Sequence, residues 1–314
     1  MSSMAPFRLA PYFRTRPWGF RDLRPWYDYQ TTGEPIGEVW LTGEMCIAET
    51  GPCAGHSLKA ITAEHTQELL GKAAAAGEFP LLVKMLFPKE KLSVQVHPND
   101  ELAQKHGFPR GKTECWYALD AEKDASVALG IVPGTTPGQI RAAIEDETLE
   151  KYLEWLPVHQ GDMIYVDAGT VHAIGPGAVL LETQQTSDLT YRMYDYGRGR
   201  ELHIEASMEA ARMTTRAGKV EPVDAGDHSV LIREDYFEME RWPLAAGVAP
   251  AELGKAAASV QMLFCASGEI TLSGAGFDTF EVKRNQLVVI PAGTASKIAS
   301  TGTSVIIRIA PCAV

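Results

Sequence analysis

The chain has 314 residues, of which 45% are hydrophobic and 22% charged, and its formal net charge is -11. This is an ordinary globular composition with room for one large or two medium domains. The acidic balance leaves no footprint for nucleic acid or an anionic membrane surface, and no apolar window approaches a membrane span; an anionic substrate can bind only through a local basic pocket.

The opening stretch MSSMAPFRLAPYFRTRPWGF lacks a signal-peptide core and carries Arg8, Arg14 and Arg16. The 5 cysteines are scattered and contain no CxxC, which reads as reduced thiols in a cytoplasmic protein. Residues 1–60 alternate short apolar runs with turns and read as strands and loops. TAEHTQELLGKAAAAGE (62–78) predicts a helix capped by Thr62, with Glu64 and Glu68 early and a helix-favouring alanine run. FPLLVKMLFPKEKLSVQVHP (79–98) predicts two strands around a Pro-Lys turn. A second helical block spans 134–156, its face marked by Ile140, Ile144, Leu149, Leu153 and Leu156, with a break near Asp146. Strands return in GDMIYVDAGTVHAI, AVLLETQQTS and LTYRMYDYG. A short helix follows near 203–212, and from 217 onward the texture is all β.

GDMIYVDAGTVHAI (161–174) aligns without a gap on NQLVVIPAGTASKI (285–298), about 124 residues away. Each is a strand running into an Ala-Gly-Thr turn, where glycine supplies a conformation other residues resist. Two copies of one β-unit imply two related β-domains, placed at 1–220 and 221–314 with the helices as insertions in the first. His172 of the first copy is Ser296 in the second. Whatever His172 does, the C-terminal copy has lost it.

In KLSVQVHPND (91–100), Ser93, Gln95 and His97 alternate with Leu92, Val94 and Val96, so the three polar side chains leave one strand face. Glu114 heads the next apolar run, and His172 follows a glycine turn. An amide oxygen, a carboxylate and two imidazoles suit a borderline cation such as Zn²⁺ with a further position open. The bland reading of each residue alone is a solvated or hydrogen-bonded side chain. Jointly they favour a metal.

Segment 161–172 fits the second cupin motif, with Asp167 in its proline position. LSVQVHPND, KTECWYAL and VHAIGPG followed by LETQQTSDLTYRMYDYGR resemble the type I phosphomannose isomerases in their short bacterial form. The resemblance implies a mainly β fold of two cupin-like (double-stranded β-helix) barrels with a few added helices. It implies one Zn²⁺ held by Gln95, His97, Glu114 and His172, and a sugar phosphate as substrate. It places Arg192 at the reacting end of the sugar, Glu182 and Lys112 along the pocket, and Lys84 with Ser93 at the phosphate. The expected reaction interconverts mannose 6-phosphate and fructose 6-phosphate through a cis-enediol. One carboxylate against Zn²⁺ leaves the site near +1, which favours an oxyanion. Proton transfer falls to Glu182 or to Lys112 acting with a bound water, and both stay open. The alternatives are a metal cupin acting on another phosphorylated sugar and a sugar-binding cupin without turnover. An Fe²⁺ oxygenase would leave Gln95 unexplained. Neither nucleic acid nor membrane is expected as a partner, and monomer and homodimer stay open.

Overall fold

The computed structural model describes residues 4–312. The chain is mainly β, with four sheets and a few short helices. One seven-stranded sheet contains Tyr12–Phe20, Ile36–Trp40, Leu81–Leu86, Ala178–Gln185, Glu114–Ala121, Met163–Val166 and Gly218–Val220 as successive neighbours. A five-stranded sheet orders Tyr191–Tyr194, Val94–Val96, His172–Ile174, Ser126–Ile131 and Leu153–Pro157. The remaining two sheets are built mainly from residues after 220, and the second seven-stranded sheet takes Phe7–Arg8 at its edge, beside Leu287–Ile290. Among the described residues, no helix is long and apolar enough to cross a membrane.

Period-2 alternation explains how the first sheet serves two purposes. In Leu81–Leu86 every residue is buried. Leu81, Val83 and Met85 enter a core shared with Phe237, Met239, Phe264 and Ile309 of the second seven-stranded sheet. Leu86 points to the other side, into the core with Trp116 and Ile174, and Lys84 shares that face. Cys115 and Tyr117 likewise join the shared core, while Trp116 and Ala118 face inward with Glu114. The inner face thus carries charge only near one end. The corresponding C-terminal core packs Trp242, Leu263, Val288, Ile290 and Ile298 and also holds a polar cluster, in which Arg308 bonds Gln261 and Glu240 and Glu240 accepts from Trp242 Nε1.

The helices differ from expectation. The first block starts at Leu58, four residues early, because the Ser57 side chain accepts from Ala60 N. Thr62 lies inside that helix, its hydroxyl donating to Leu58 O. The block breaks after Glu64 and again at Gly71 (φ 59), where a Cβ would sit 2.2 Å from Ala258 O, and the alanines form a 3₁₀ turn. In the second block the helix is Pro137–Glu145, opened by a capping box between Thr136 and Gln139 and ended at Asp146. Leu153 and Leu156 lie on the strand Leu153–Pro157, so their helical spacing was coincidental. A further helix, Asp100–Lys105, not expected from the sequence, is capped by Asn99, whose side chain accepts from Leu102 N.

The repeated turns are alike in the fold. Thr170 N donates to Asp167 O at 3.1 Å and Thr294 N to Pro291 O at 3.2 Å, with Gly169 and Gly293 both at positive φ (93 and 73).

Candidate active site

The central strand of the site is short, Val94–Val96, and pairs on both sides. Gln95 lies opposite His172 on one neighbour and opposite Arg192 on the other. Direct cross-strand partners share a face, so imidazole, amide and guanidinium project together. Facing them, the inner side of the seven-stranded sheet presents Glu182 opposite Lys84, and Glu114 one pleat along.

The turn before His172 is held in several ways. Thr170 Oγ1 donates to Asp167 Oδ1 at 2.8 Å, and Gly169 N donates to His97 O at 2.8 Å, tying the two histidine segments together. Both rings are fixed by backbone carbonyls. His97 Nδ1 donates to Leu189 O at 2.8 Å and His172 Nδ1 to Thr170 O at 2.9 Å. Each ring is therefore protonated on Nδ1, and each Nε2 turns its lone pair inward. Burial lowers the His172 pKa to about 4, and burial together with Lys112 and His172 holds His97 well below its ordinary value, so both rings are neutral.

Those two nitrogens converge on one carboxylate. His172 Nε2 lies 3.3 Å from Glu114 Oε1, and His97 Nε2 lies 3.6 Å from Glu114 Oε2. The donor atoms of His97, Glu114 and His172 all fall within 4.8 Å of one another, and all three residues are buried. Two unprotonated imidazole nitrogens and a carboxylate converging on one point are a donor set that fits a metal ion. Gln95 Nε2 donates to His172 Nε2 at 3.2 Å, and its Oε1 accepts from Ser93 Oγ at 3.3 Å. Turning the amide end for end brings its oxygen to the cluster without moving the chain.

Beside the cluster an alternating row of charges crosses five strands. Arg16 bonds Glu38 at 2.8 Å, Glu38 lies 4.0 Å from Lys84, Lys84 lies 3.2 Å from Glu182, Glu182 lies 3.3 Å from Lys112, and Lys112 lies 2.5 Å from Glu114. Burial raises the Glu182 carboxyl and the Glu114 charge adds to it. Burial opposes the Lys112 charge, but Glu114 and Glu182 prevail and raise its pKa. Lys112 Nζ also donates to His97 Nε2 at 3.1 Å.

Of the nine residues expected from sequence, Ser93, Gln95, Lys84, Lys112, Glu114, Glu182 and Arg192 line one cavity of about 430 Å³. His97 and His172 touch that lining through Lys112 and Gln95. Lys84 is nearly matched by Glu182 and Glu38, whereas among the described residues the Arg192 side chain bonds only the Glu201 carbonyl (2.9 Å) and leaves Nε buried without a partner. Sequence reasoning missed Arg14, Arg16, Glu38 and Asp188 in the same lining, and read Arg200 as part of a solvated basic loop although it too lines the cavity. The lining carries six cations (Arg14, Arg16, Lys84, Lys112, Arg192, Arg200) against four carboxylates (Glu38, Glu114, Glu182, Asp188), a positive pocket in an acidic protein.

Comparison with known proteins agrees with this geometry. Residues 7–136 match the phosphomannose isomerase type I catalytic domain. The chain is 37% identical over 258 residues to the mannose-6-phosphate isomerase ManA of Bacillus subtilis, covering 76% of this chain and 80% of that one. The chain belongs to the type I phosphomannose isomerases. The mannose-6-phosphate isomerase of Streptococcus mutans is 31% identical over 299 residues, 91% of this chain and 92% of its own. The crystal structure of the Bacillus subtilis mannose 6-phosphate isomerase superposes with a TM-score of 0.84 at 28% identity, over 98% of this chain and 100% of that one. As a member of this family the chain is an isomerase, and its cupin fold is the family's.

Proposed function

We propose that this isomerase is zinc-dependent and interconverts mannose 6-phosphate and fructose 6-phosphate through a cis-enediol. The convergence of two neutral imidazole nitrogens and the Glu114 carboxylate carries the reading. His97, Glu114, His172 and the turned Gln95 amide would hold the metal. When bound, the metal supplies Lewis-acid polarisation of the sugar's oxygens.

The chain's own residues do the rest. After ring opening, Glu182 takes the proton from C2 and returns it to C1 while the O2 hydroxyl proton passes to O1, so that C1 becomes a hydroxymethyl group and C2 a ketone. Lys112 lies between Glu114 and Glu182 and, as an ammonium, has no lone pair to act as base, so it orients the carboxylates and offsets charge on the enediol oxygens. Arg192, beside Gln95, supplies a second cation there. Lys84 and Ser93 line the wall toward the phosphate.

Arg14 completes the anion site at the rim. Its guanidinium lies over the Trp40 ring, 4.5 Å from the centroid, and among the described residues no carboxylate lies within 4.0 Å of it. A cation held by an aromatic face with its N–H groups unspent suits a phosphate dianion. Residues 1–220 would form the catalytic part and 221–314 a cupin-like part without a metal site. The unpaired cysteines support a cytoplasmic site of action.

The deciding experiment is conversion of mannose 6-phosphate to fructose 6-phosphate, with chelator and then with added Zn²⁺. In the reverse direction in D₂O, deuterium should enter C2 of the mannose 6-phosphate formed. Full activity in chelated, metal-free protein would sink the reading.

A further inference from the structure

The two seven-stranded sheets meet through an apolar core, yet one polar path also crosses between them. Tyr236, next to the strand Phe237–Leu244 of the second sheet, donates its hydroxyl to Asp100 Oδ2 at 2.7 Å. The other oxygen, Asp100 Oδ1, accepts from Gly111 N at 2.8 Å and from Gln185 Nε2 at 3.0 Å. Gln185 Oε1 in turn accepts from Thr113 N at 2.9 Å.

The residue between Gly111 and Thr113 is Lys112, whose own N–H donates to Pro98 O at 3.0 Å. Every backbone N–H from 111 to 113 is therefore committed, two of them to one carboxylate directly or through one amide. There is no slack in the segment. A Cβ at Gly111 would lie 2.3 Å from Pro98 O and 2.4 Å from Asn99 C. Burial would raise the Asp100 carboxyl, but the bonds from Tyr236, Gly111 and Gln185 outweigh it and keep the group ionised. Neither Asp100 nor Tyr236 lines the cavity, and the chemistry above uses neither.

We propose that Tyr236 and Asp100 form a clamp that fixes Lys112 between Glu114 and Glu182, so that the C-terminal half positions a working residue of the N-terminal half. The clamp's catalytic consequence rests on the isomerase reading; its geometry does not. Both are positioning residues. A buried ammonium held between two carboxylates tolerates little displacement, and misplacement by a fraction of an ångström weakens both of those bonds. This also gives the C-terminal half a task although none of its own described residues lines the cavity.

The test uses the full-length, metal-loaded protein. Tyr236→Phe keeps the ring and removes only the hydroxyl. It should lower kcat roughly tenfold, leave KM for mannose 6-phosphate within about twofold, and leave metal content unchanged. Asp100→Asn keeps an oxygen for Gly111 and Gln185 and should fall less than Asp100→Ala. Hydrogen exchange at the amides of Gly111 and Thr113 should speed up by about tenfold in Tyr236→Phe. A lower melting temperature with kcat and exchange unchanged means a purely structural contact and overturns the clamp. If the wild type fails to convert mannose 6-phosphate, the isomerase reading falls, and the exchange measurement alone still decides the clamp.

Discussion

Gln95 and His172 face each other across two paired strands, with their Nε2 atoms 3.2 Å apart. An amide at this point adds a possible oxygen ligand without adding charge. Gln95→Glu should therefore retain the metal, or hold it more tightly, while kcat falls at least tenfold, because the added carboxylate cancels charge the enediol oxygens need, roughly the 10²–10³ scale of a lost oxyanion contact. Metal content and kcat measured on one preparation check this. Unchanged kcat with full metal would show that the neutral ligand is incidental.

His97 and Ser296 test the asymmetry between the two halves. His97→Ala should abolish measurable turnover and metal retention, since it removes one of three converging donors. Ser296→Ala should change neither by more than about twofold, as expected of substitutions away from such a site. Equal damage from both, in folded protein, would contradict the view that the C-terminal copy has no chemical role of its own.

Arg14→Gln should raise KM for mannose 6-phosphate about tenfold with little change in kcat, the mark of binding energy used equally in ground and transition states. The loss should shrink at high salt, where screening already weakens the wild type. A fall in kcat at constant KM would move Arg14 from the phosphate to the reacting end.

Glu38 makes stability depend on acid. Burial would raise its pKa, but Lys84 and Arg16 bring it down from 4.5 to about 2. A depressed folded pKa adds stability that is full above the unfolded value and is lost as pH falls from about 4.5 toward 2. The shift corresponds to about 3 kcal/mol. Glu38→Gln should thus be less stable than wild type by about that amount at pH 7, with most of the gap closed by pH 3. Urea unfolding at both pH values measures it, and a gap independent of pH would count against the assignment.

Much of the site was legible because it lies along single strands. Ser93, Gln95 and His97 reveal themselves by alternation, although only Gln95 lies within the strand Val94–Val96 and the other two flank it, and His172 by its contrast with Ser296 in the repeat. What stayed hidden was assembled between strands. Arg16 and Glu38 also lie on period-2 strands, as do Arg14 and Trp40, but nothing in those segments alone says which strand lies beside Lys84. Register and sheet order set that, and they come from tertiary packing. The helices failed for a related reason. Gly71 ends its helix because the backbone passes within touching distance of Ala258, a neighbour more than a hundred residues away. The role of Asp100 was invisible for the same cause, since Tyr236 comes from the other half of the chain.

Phe7 pairs with Val289 at the edge of the second seven-stranded sheet. During synthesis this strand must wait for a partner made about 280 residues later, roughly 15 to 55 s at ordinary elongation rates. Until then Phe7, buried in the finished fold, has no sheet to join. A nascent chain stalled before residue 287 should be cut by trypsin after Arg8, and the released, full-length chain should resist cleavage there.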